Sequence, residues 1–159
     1  LFRSPLKDHL DAYEGHLVNT LGSGVQACWR GPRLYDSDET KALVKRWVAW
    51  FKEHRDILES DLVHCRRADG RDVDWVLHVN PQLSTRALAM VHNPLPTPVV
   101  RTIPMPLHYA GLSGKARWRQ DGGRFANVTL DEQQRAWVTV RVPARGHASV
   151  EFQKAGRGR

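Results

Sequence analysis

Eight short runs of alternating apolar and polar residues follow one another after Ser60, and no other feature constrains the fold as strongly. Alternation with a period of two is typical of strands that bury one face. Turn signals such as Asp69-Gly70 and Asn93-Pro94 separate the runs. The sequence therefore predicts an antiparallel β-sandwich over residues 61–153. The eight runs read DLVHCRR, WVLHV, RALAMVHN, PVVRTIPMP, KARWRQ, RFANVTL, AWVTVRVP and ASVEFQ.

The apolar residues before Ser60 recur at helical spacing instead. A first helix is predicted over residues 5–21, with Ser4 as its N-cap, Pro5 at its first position and Gly22 at its C-terminal cap. Its predicted apolar face consists of Leu6, Leu10, Tyr13, Leu17 and Leu21.

A second helix is predicted from about residue 37 to residue 59. Two pairs have the spacing of a capping box, Asp36 with Glu39 and Ser37 with Thr40. The apolar residues of this helix cover nearly half of its circumference: Leu43, Val44, Trp47, Val48, Trp50, Phe51, Ile57 and Leu58. So wide an apolar face implies that the helix is buried against a sheet or against two neighbouring elements. These 159 residues supply only part of such a partner.

A short apolar run, VQACW at residues 25–29, lies between the two helices and predicts a buried strand. An order of helix, strand and helix is typical of an α/β unit and not of a complete small domain. We therefore predict an α+β chain. Residues 1–60 would be the end of a (β/α)8 barrel, residues 61–153 the sandwich, and residues 154–159 a flexible tail.

The segment that follows the predicted strand is the candidate binding site. In an α/β barrel the loops after the strands form the active face. Aromatic rings offer flat surfaces to the C–H side of a sugar ring, and arginines donate forked hydrogen bonds to hydroxyl pairs. The predicted substrate-binding residues are Trp29, Arg30, Arg33, Tyr35 and Asp36.

Each of these residues also has a structural alternative. Asp36 could cap the second helix, and Arg33 could pair with Asp36 or Asp38. Trp29 and Tyr35 could instead close the end of a barrel core.

Charge, histidine and cysteine patterns argue against several other functions. The formal net charge is +7, and the whole excess lies after Ser60. Its arginines stand mostly singly among apolar residues, which is typical of solvent-facing strand positions and not of a nucleic-acid site. No histidine or cysteine spacing indicates a metal site, Cys28 and Cys65 lack a CxxC motif, and no run is long enough to span a membrane. We predict no cofactor, no metal, no nucleic-acid partner and no membrane insertion.

Taken together, residues 10–150 resemble the end of the catalytic barrel and the appended β-sandwich of large bacterial glycoside-hydrolase-like proteins. The wider resemblance is to α-galactosidases and related retaining α-glycosidases. In these proteins a last barrel helix with a K-x-x-R-x-x-L stretch leads into the sandwich, as Lys52, Arg55 and Leu58 do in KEHRDILESDLVHCRR. Further stretches that carry the resemblance are GVQACWRGPRLYDSDETKALVKRWVAW, ALAMVHNP and IPMPLHYAGL.

The resemblance implies a retaining mechanism with two carboxylates about 5 Å apart at the barrel mouth. Those carboxylates would lie upstream, so this chain has no predicted catalytic residue and would be inactive by itself. Its expected partners are the carbohydrate substrate of a longer protein and an N-terminal barrel portion of the same polypeptide. Export from the cell would suit a polysaccharide-degrading enzyme. The alternative is a carbohydrate- or polyanion-binding sandwich module without catalysis.

Overall fold

A computed structural model describes residues 5–25 and 33–156 of the 159-residue chain. The chain divides into two compact units, Leu1–Glu59 and Ser60–Arg159. The first unit contains the helices and the second contains the strands.

The helical unit begins with a short 3₁₀ helix, Leu6–His9, which continues into α1, Leu10–Leu21. The prediction of one regular helix from residue 5 was wrong at its start, because Pro5 has extended backbone angles, φ −80° and ψ 144°. The chain enters the helix at Leu6 instead. Four residues of the predicted apolar face are buried, namely Leu6, Tyr13, Leu17 and Leu21, whereas Leu10 is half-buried. Val18, which was not part of the predicted face, is buried as well.

Helix α2 spans Asp38–Leu58, and the structure selects one of the two capping frames. Ser37 is the N-cap: its hydroxyl oxygen accepts a hydrogen bond from the Thr40 amide (3.2 Å), and Thr40 Oγ1 accepts one from the Ser37 amide (3.0 Å). These two bonds satisfy amides that have no partner within the helix. The predicted strand over residues 25–29 lies, apart from the exposed Val25, outside the described residues.

The second unit contains all eight predicted strands, and the predicted antiparallel pairing is confirmed for every one of them. The last strand continues through Lys154, one residue beyond the predicted boundary of the sandwich. The strands are β1 Asp61–Arg66, β2 Asp74–Val79, β3 Thr85–His92, β4 Val99–Pro106, β5 Lys115–Gln120, β6 Ala126–Thr129, β7 Arg135–Val142 and β8 His147–Lys154.

Six strands form one sheet in the order β1-β2-β3-β8-β5-β6, and β4 and β7 form a two-stranded ribbon. The inner faces of the sheet and the ribbon share one hydrophobic core. The sheet contributes residues such as Leu77, Ala89 and Phe152, and the ribbon contributes Met105 and Val138. The two layers are therefore very unequal in width, and the ribbon leaves one face outside the core.

A buried asparagine closes the end of the sandwich where β3 leads toward β4. The Asn93 side chain is 2% exposed, and its Nδ2 donates hydrogen bonds to the carbonyl oxygens of Thr97 (2.9 Å) and Pro143 (2.8 Å). Its Oδ1 accepts a hydrogen bond from the amide of Leu95 (3.0 Å). One side chain thus joins two loops that are far apart in the sequence.

Candidate functional site

The structure describes three of the five predicted substrate-binding residues, Arg33, Tyr35 and Asp36, whereas Trp29 and Arg30 lie outside the described residues. The three lie on the segment that enters α2. Arg33 and Tyr35 have exposed side chains, while Asp36 is half-buried. Tyr35 is close to a cation, because Lys41 Nζ lies 5.4 Å from the centre of its ring.

Asp36 connects the two helical segments of its unit. Its Oδ2 accepts a hydrogen bond from the Leu6 amide at the start of the 3₁₀ helix (2.5 Å). Its Oδ1 accepts one from Thr40 Oγ1 in the first turn of α2 (3.3 Å). Ser37, and not Asp36, caps α2. Both carboxylate oxygens of Asp36 therefore have partners inside the unit.

A second hydrogen bond, from α1, holds the segment of residues 33–36 in place. Tyr13 is fully buried, and its hydroxyl donates a hydrogen bond to the carbonyl oxygen of Leu34. The backbone between Arg33 and Asp36 is therefore held at Leu34 by α1. This arrangement leaves the side chains of Arg33 and Tyr35 on the exposed side of an anchored segment.

Replacement of Asp36 by alanine is expected to lower the free energy of unfolding by about 1–2 kcal/mol, because it leaves the Leu6 amide without its acceptor. Asp36→Asn keeps one acceptor oxygen and should recover part of that loss. Thermal unfolding, together with hydrogen exchange at the Leu6 amide, measures both effects. Unchanged stability in Asp36→Ala would contradict a structural role for this carboxylate.

A different candidate surface, which the sequence reasoning missed, is the outer face of the β4–β7 ribbon. Val138 and its alternate neighbours in β7 face the core, so Arg135, Trp137, Thr139 and Arg141 lie on the opposite face. Trp137 is 50% exposed and is paired across the ribbon with Pro104. A large aromatic ring on an exposed strand position is a feature that requires an explanation.

The Trp137 ring is held by a network centred on Asp131. The indole Nε1 donates a hydrogen bond to Asp131 Oδ2 (3.1 Å), and Arg135 Nε donates to the same oxygen (2.8 Å). The Arg135 guanidinium also lies 5.4 Å from the centre of the indole ring. Hydrogen bonds from the Arg135 amide, from the guanidinium and from the indole lower the pKa of Asp131 to about 2. Asp131 is therefore charged at neutral pH.

This network had a signal in the sequence. In RAWVTVRVP the residues with small or branched apolar side chains occupy every second position, which places Trp137 on the opposite side from the core. The contribution of Asp131 had no comparable signal. It depends on the turn between β6 and β7, in which Gln134 has a positive φ of 57°.

The described residues provide no evidence for a reactive cysteine, a metal site or a membrane-spanning helix. Cys65 is a free cysteine, and burial raises the pKa of its thiol to about 11, so the thiol is protonated at neutral pH. Within residues 5–25 and 33–156, no group of three His, Cys, Asp or Glu side chains could hold a metal ion. Over the same residues, no helix has the length and apolar character needed to cross a membrane.

No protein-family model and no curated protein sequence matches the chain. The chain is similar in structure to a candidate α-N-acetylgalactosaminidase from Bacillus halodurans C-125, with a TM-score of 0.56 and 9% sequence identity. This match covers 94% of the chain and 31% of that protein. The chain therefore spans about a third of the length of a protein with which it shares its fold.

Further similar structures are also glycoside hydrolases, but the likeness is weaker. The type I pullulanase of Bacillus subtilis, solved with maltose, has a TM-score of 0.42 and 9% identity over 76% of the chain and 17% of its own length. A pullulanase from Anoxybacillus has a TM-score of 0.42 and 9% identity over 80% of the chain and 17% of its own length. Of the three structures named here, the candidate α-N-acetylgalactosaminidase alone has a TM-score above 0.5, and only its fold is compared with that of the chain.

Proposed function

We propose that this chain is the C-terminal portion of a carbohydrate-active protein, a glycoside hydrolase that acts on α-glycosides. In this proposal residues 1–60 complete a (β/α)8 barrel and the β-sandwich supports it. The catalytic carboxylates belong to an upstream part of the polypeptide. The alternative, a carbohydrate- or polyanion-binding module, requires neither a barrel nor an upstream catalytic portion.

One observation carries the proposal: the similarity to the candidate α-N-acetylgalactosaminidase extends over 94% of the chain, so it includes helices as well as strands. A binding module that had only its sandwich in common with a hydrolase would match over the strands alone. The combination of a helical unit and a sandwich in the same order favours a shared architecture.

The exposed segment before α2 has the chemistry to form one wall of a sugar site. Arg33 can donate paired hydrogen bonds, and Tyr35 can stack on the apolar side of a sugar ring. The anchoring of Leu34 by Tyr13 holds this segment in place. We include Trp29, Arg30 and Asp36 in the proposed site, with Asp36 acting through the position of the segment.

The test is an assay of the full-length polypeptide that contains this chain, with aryl α-galactosides and α-N-acetylgalactosaminides as substrates. Hydrolysis with retention of the α configuration is the expected result. Trp29→Ala, Arg30→Ala and Arg33→Ala should each lower kcat/KM by roughly 10–100-fold while thermal stability stays unchanged.

Tyr109→Ala, which removes an exposed aromatic ring outside this segment, is the control and should change neither activity nor stability. Asp36→Ala should lower thermal stability and raise KM, because both carboxylate oxygens bind the unit itself and so hold the segment in position. A full-length polypeptide that hydrolyses no α-glycoside would contradict the hydrolase proposal. Loss of stability in the three arginine and tryptophan variants at constant specific activity would assign the segment to the scaffold.

A further inference from the structure

The outer face of the β4–β7 ribbon presents four cross-strand pairs in a row. In order along the ribbon these are Pro106 with Arg135, Pro104 with Trp137, Thr102 with Thr139, and Val100 with Arg141. Each step of two residues advances by roughly 7 Å, so Trp137 and Arg141 lie about 13 Å apart along the strand. That distance corresponds to a short oligosaccharide and not to a single sugar ring.

The Trp137 ring, in the second pair of this row, is held in one orientation before any ligand binds. Trp137 is half exposed, yet its Nε1 is fixed by Asp131 and one side of it is flanked by Arg135. A ring already held in place loses little conformational entropy when a ligand stacks on it. The negative face of the indole attracts the C–H side of a pyranose.

The middle and the far end of the row supply polar groups. Thr102 Oγ1 and Thr139 Oγ1 are 2.8 Å apart and share one hydrogen bond, which leaves one of the two hydroxyl hydrogens to donate. Arg141 is exposed, and the ion pairs of the described part of the chain involve other arginines. Its guanidinium is therefore available to a carboxylate.

The charges of Asp131 and Arg141 indicate where along the ligand an acidic group can lie. The Asp131 carboxylate lies beside the stacking ring and would repel an anionic sugar there. Arg141 would attract an acid one or two sugar units away. A nucleic acid would place a phosphate next to Asp131 and would need several cations, whereas Arg135 is already paired.

From these features we propose that the outer face of the β4–β7 ribbon binds a glycan in which an uncharged pyranose unit alternates with an acidic one. The uncharged unit stacks on Trp137, the threonine hydroxyls bind the chain between, and Arg141 binds the acidic group. Asp131 is a positioning residue for the indole. The choice of a glycan rests on the carbohydrate-active function proposed above.

The experiment is native gel electrophoresis of the 159-residue chain in gels that contain unsulfated chondroitin, in which an N-acetylhexosamine alternates with a glucuronate. The chain should be retarded relative to a gel without polysaccharide. Trp137→Ala and Arg141→Gln should each raise the apparent Kd by roughly tenfold. Asp131→Asn should cause a smaller loss, because the indole keeps an acceptor but the Arg135 pair is weakened.

Two comparisons make the result specific. Tyr109→Ala removes an aromatic side chain that is 63% exposed but lies outside the row, and it should bind chondroitin like the unsubstituted chain. Gels with polyglutamate provide carboxylates without sugar rings, and there Trp137→Ala should migrate like the unsubstituted chain. Thermal unfolding of each variant shows whether it remains folded, and Trp137→Phe provides a milder substitution.

Absence of retardation in chondroitin would overturn the proposal, as would equal losses in Trp137→Ala and Tyr109→Ala. Equal retardation by polyglutamate and chondroitin, insensitive to Trp137, would show attraction of charge alone and would also overturn it. These outcomes leave the proposed hydrolase function standing, because that function is measured as turnover by the longer polypeptide.

Discussion

Substitution of Asn93 by aspartate should lower the free energy of unfolding at pH 7 by about 3 kcal/mol or more. The two side chains have almost the same shape, so the change removes no volume. It replaces an amide group that donates to the carbonyl oxygens of Thr97 and Pro143 by a carboxylate oxygen directed at them. An anion would then be buried against two carbonyl dipoles of the wrong sign.

The defect should diminish in acid. Burial and the carbonyl oxygens favour the protonated form, so the folded-state pKa of the new aspartate would lie above its unfolded value near 3.9. The stability penalty relative to the asparagine protein therefore grows as the pH rises above the unfolded pKa, and it shrinks as the pH falls toward it. Denaturant unfolding at pH 4.5 and pH 7.5 measures the difference.

Asn80→Asp is a matched control for this experiment. Asn80 also lies in a turn between strands, and its Nδ2 donates one hydrogen bond to Ser60 Oγ (3.0 Å). A hydroxyl can donate as well as accept, so the carboxylate of Asn80→Asp can still be satisfied. A loss of stability as large as that of Asn93→Asp would contradict the explanation by buried carbonyl oxygens.

Truncation of Phe152 to alanine should lower the free energy of unfolding by about 3–5 kcal/mol. Phe152 is fully buried in the core between the sheet and the ribbon, and it lies on β8, which has a neighbour on each side. Its removal takes away buried apolar surface and leaves a cavity that paired strands on both sides cannot easily close. A domain of this kind is stable by only about 5–15 kcal/mol, so the expected loss is a large fraction of its total stability.

Calorimetry or denaturant unfolding measures the effect, with Tyr109→Ala as the control. Both substitutions remove an aromatic ring, but Tyr109 is exposed, and its change should stay within about 0.5 kcal/mol. Similar losses in the two variants would mean that burial does not determine the stability of this unit.

The strands and helices were predictable because each depends on local periodicity. The alternation in RAWVTVRVP and the spacing of residues such as Tyr13 and Leu17 state which face is buried without reference to any other part of the chain. The position of β8 between β3 and β5 had no local signal. Strand order depends on which edges meet in space, and alternation does not contain that information.

The contacts within the candidate sites, like the strand order, could not be predicted from local sequence patterns. The sequence identified Asp36 as polar and close to a helix start, but its bond to the Leu6 amide joins residues 30 positions apart. The alternation in the sequence shows that Trp137 lies on the exposed face of its strand. The hydrogen bond from its indole to Asp131 could not be predicted, because it depends on a turn in which Gln134 has a positive φ. Local pattern predicts which side chains are available, and tertiary structure decides which of them are already engaged.

The central position of β8 has a consequence for synthesis of the protein. Among the described strands, β5 and β6 join the rest of their sheet through β8, which follows the other seven in the sequence and is translated after them. Until then, β1–β3 and the β5–β6 hairpin are separate pieces with open edges. The six-stranded sheet therefore cannot be complete until β8 has been translated and Gln153 lies opposite Thr85. A nonsense mutation between Val142 and His147 would leave β3 and β5 with exposed edges and a chain prone to aggregation.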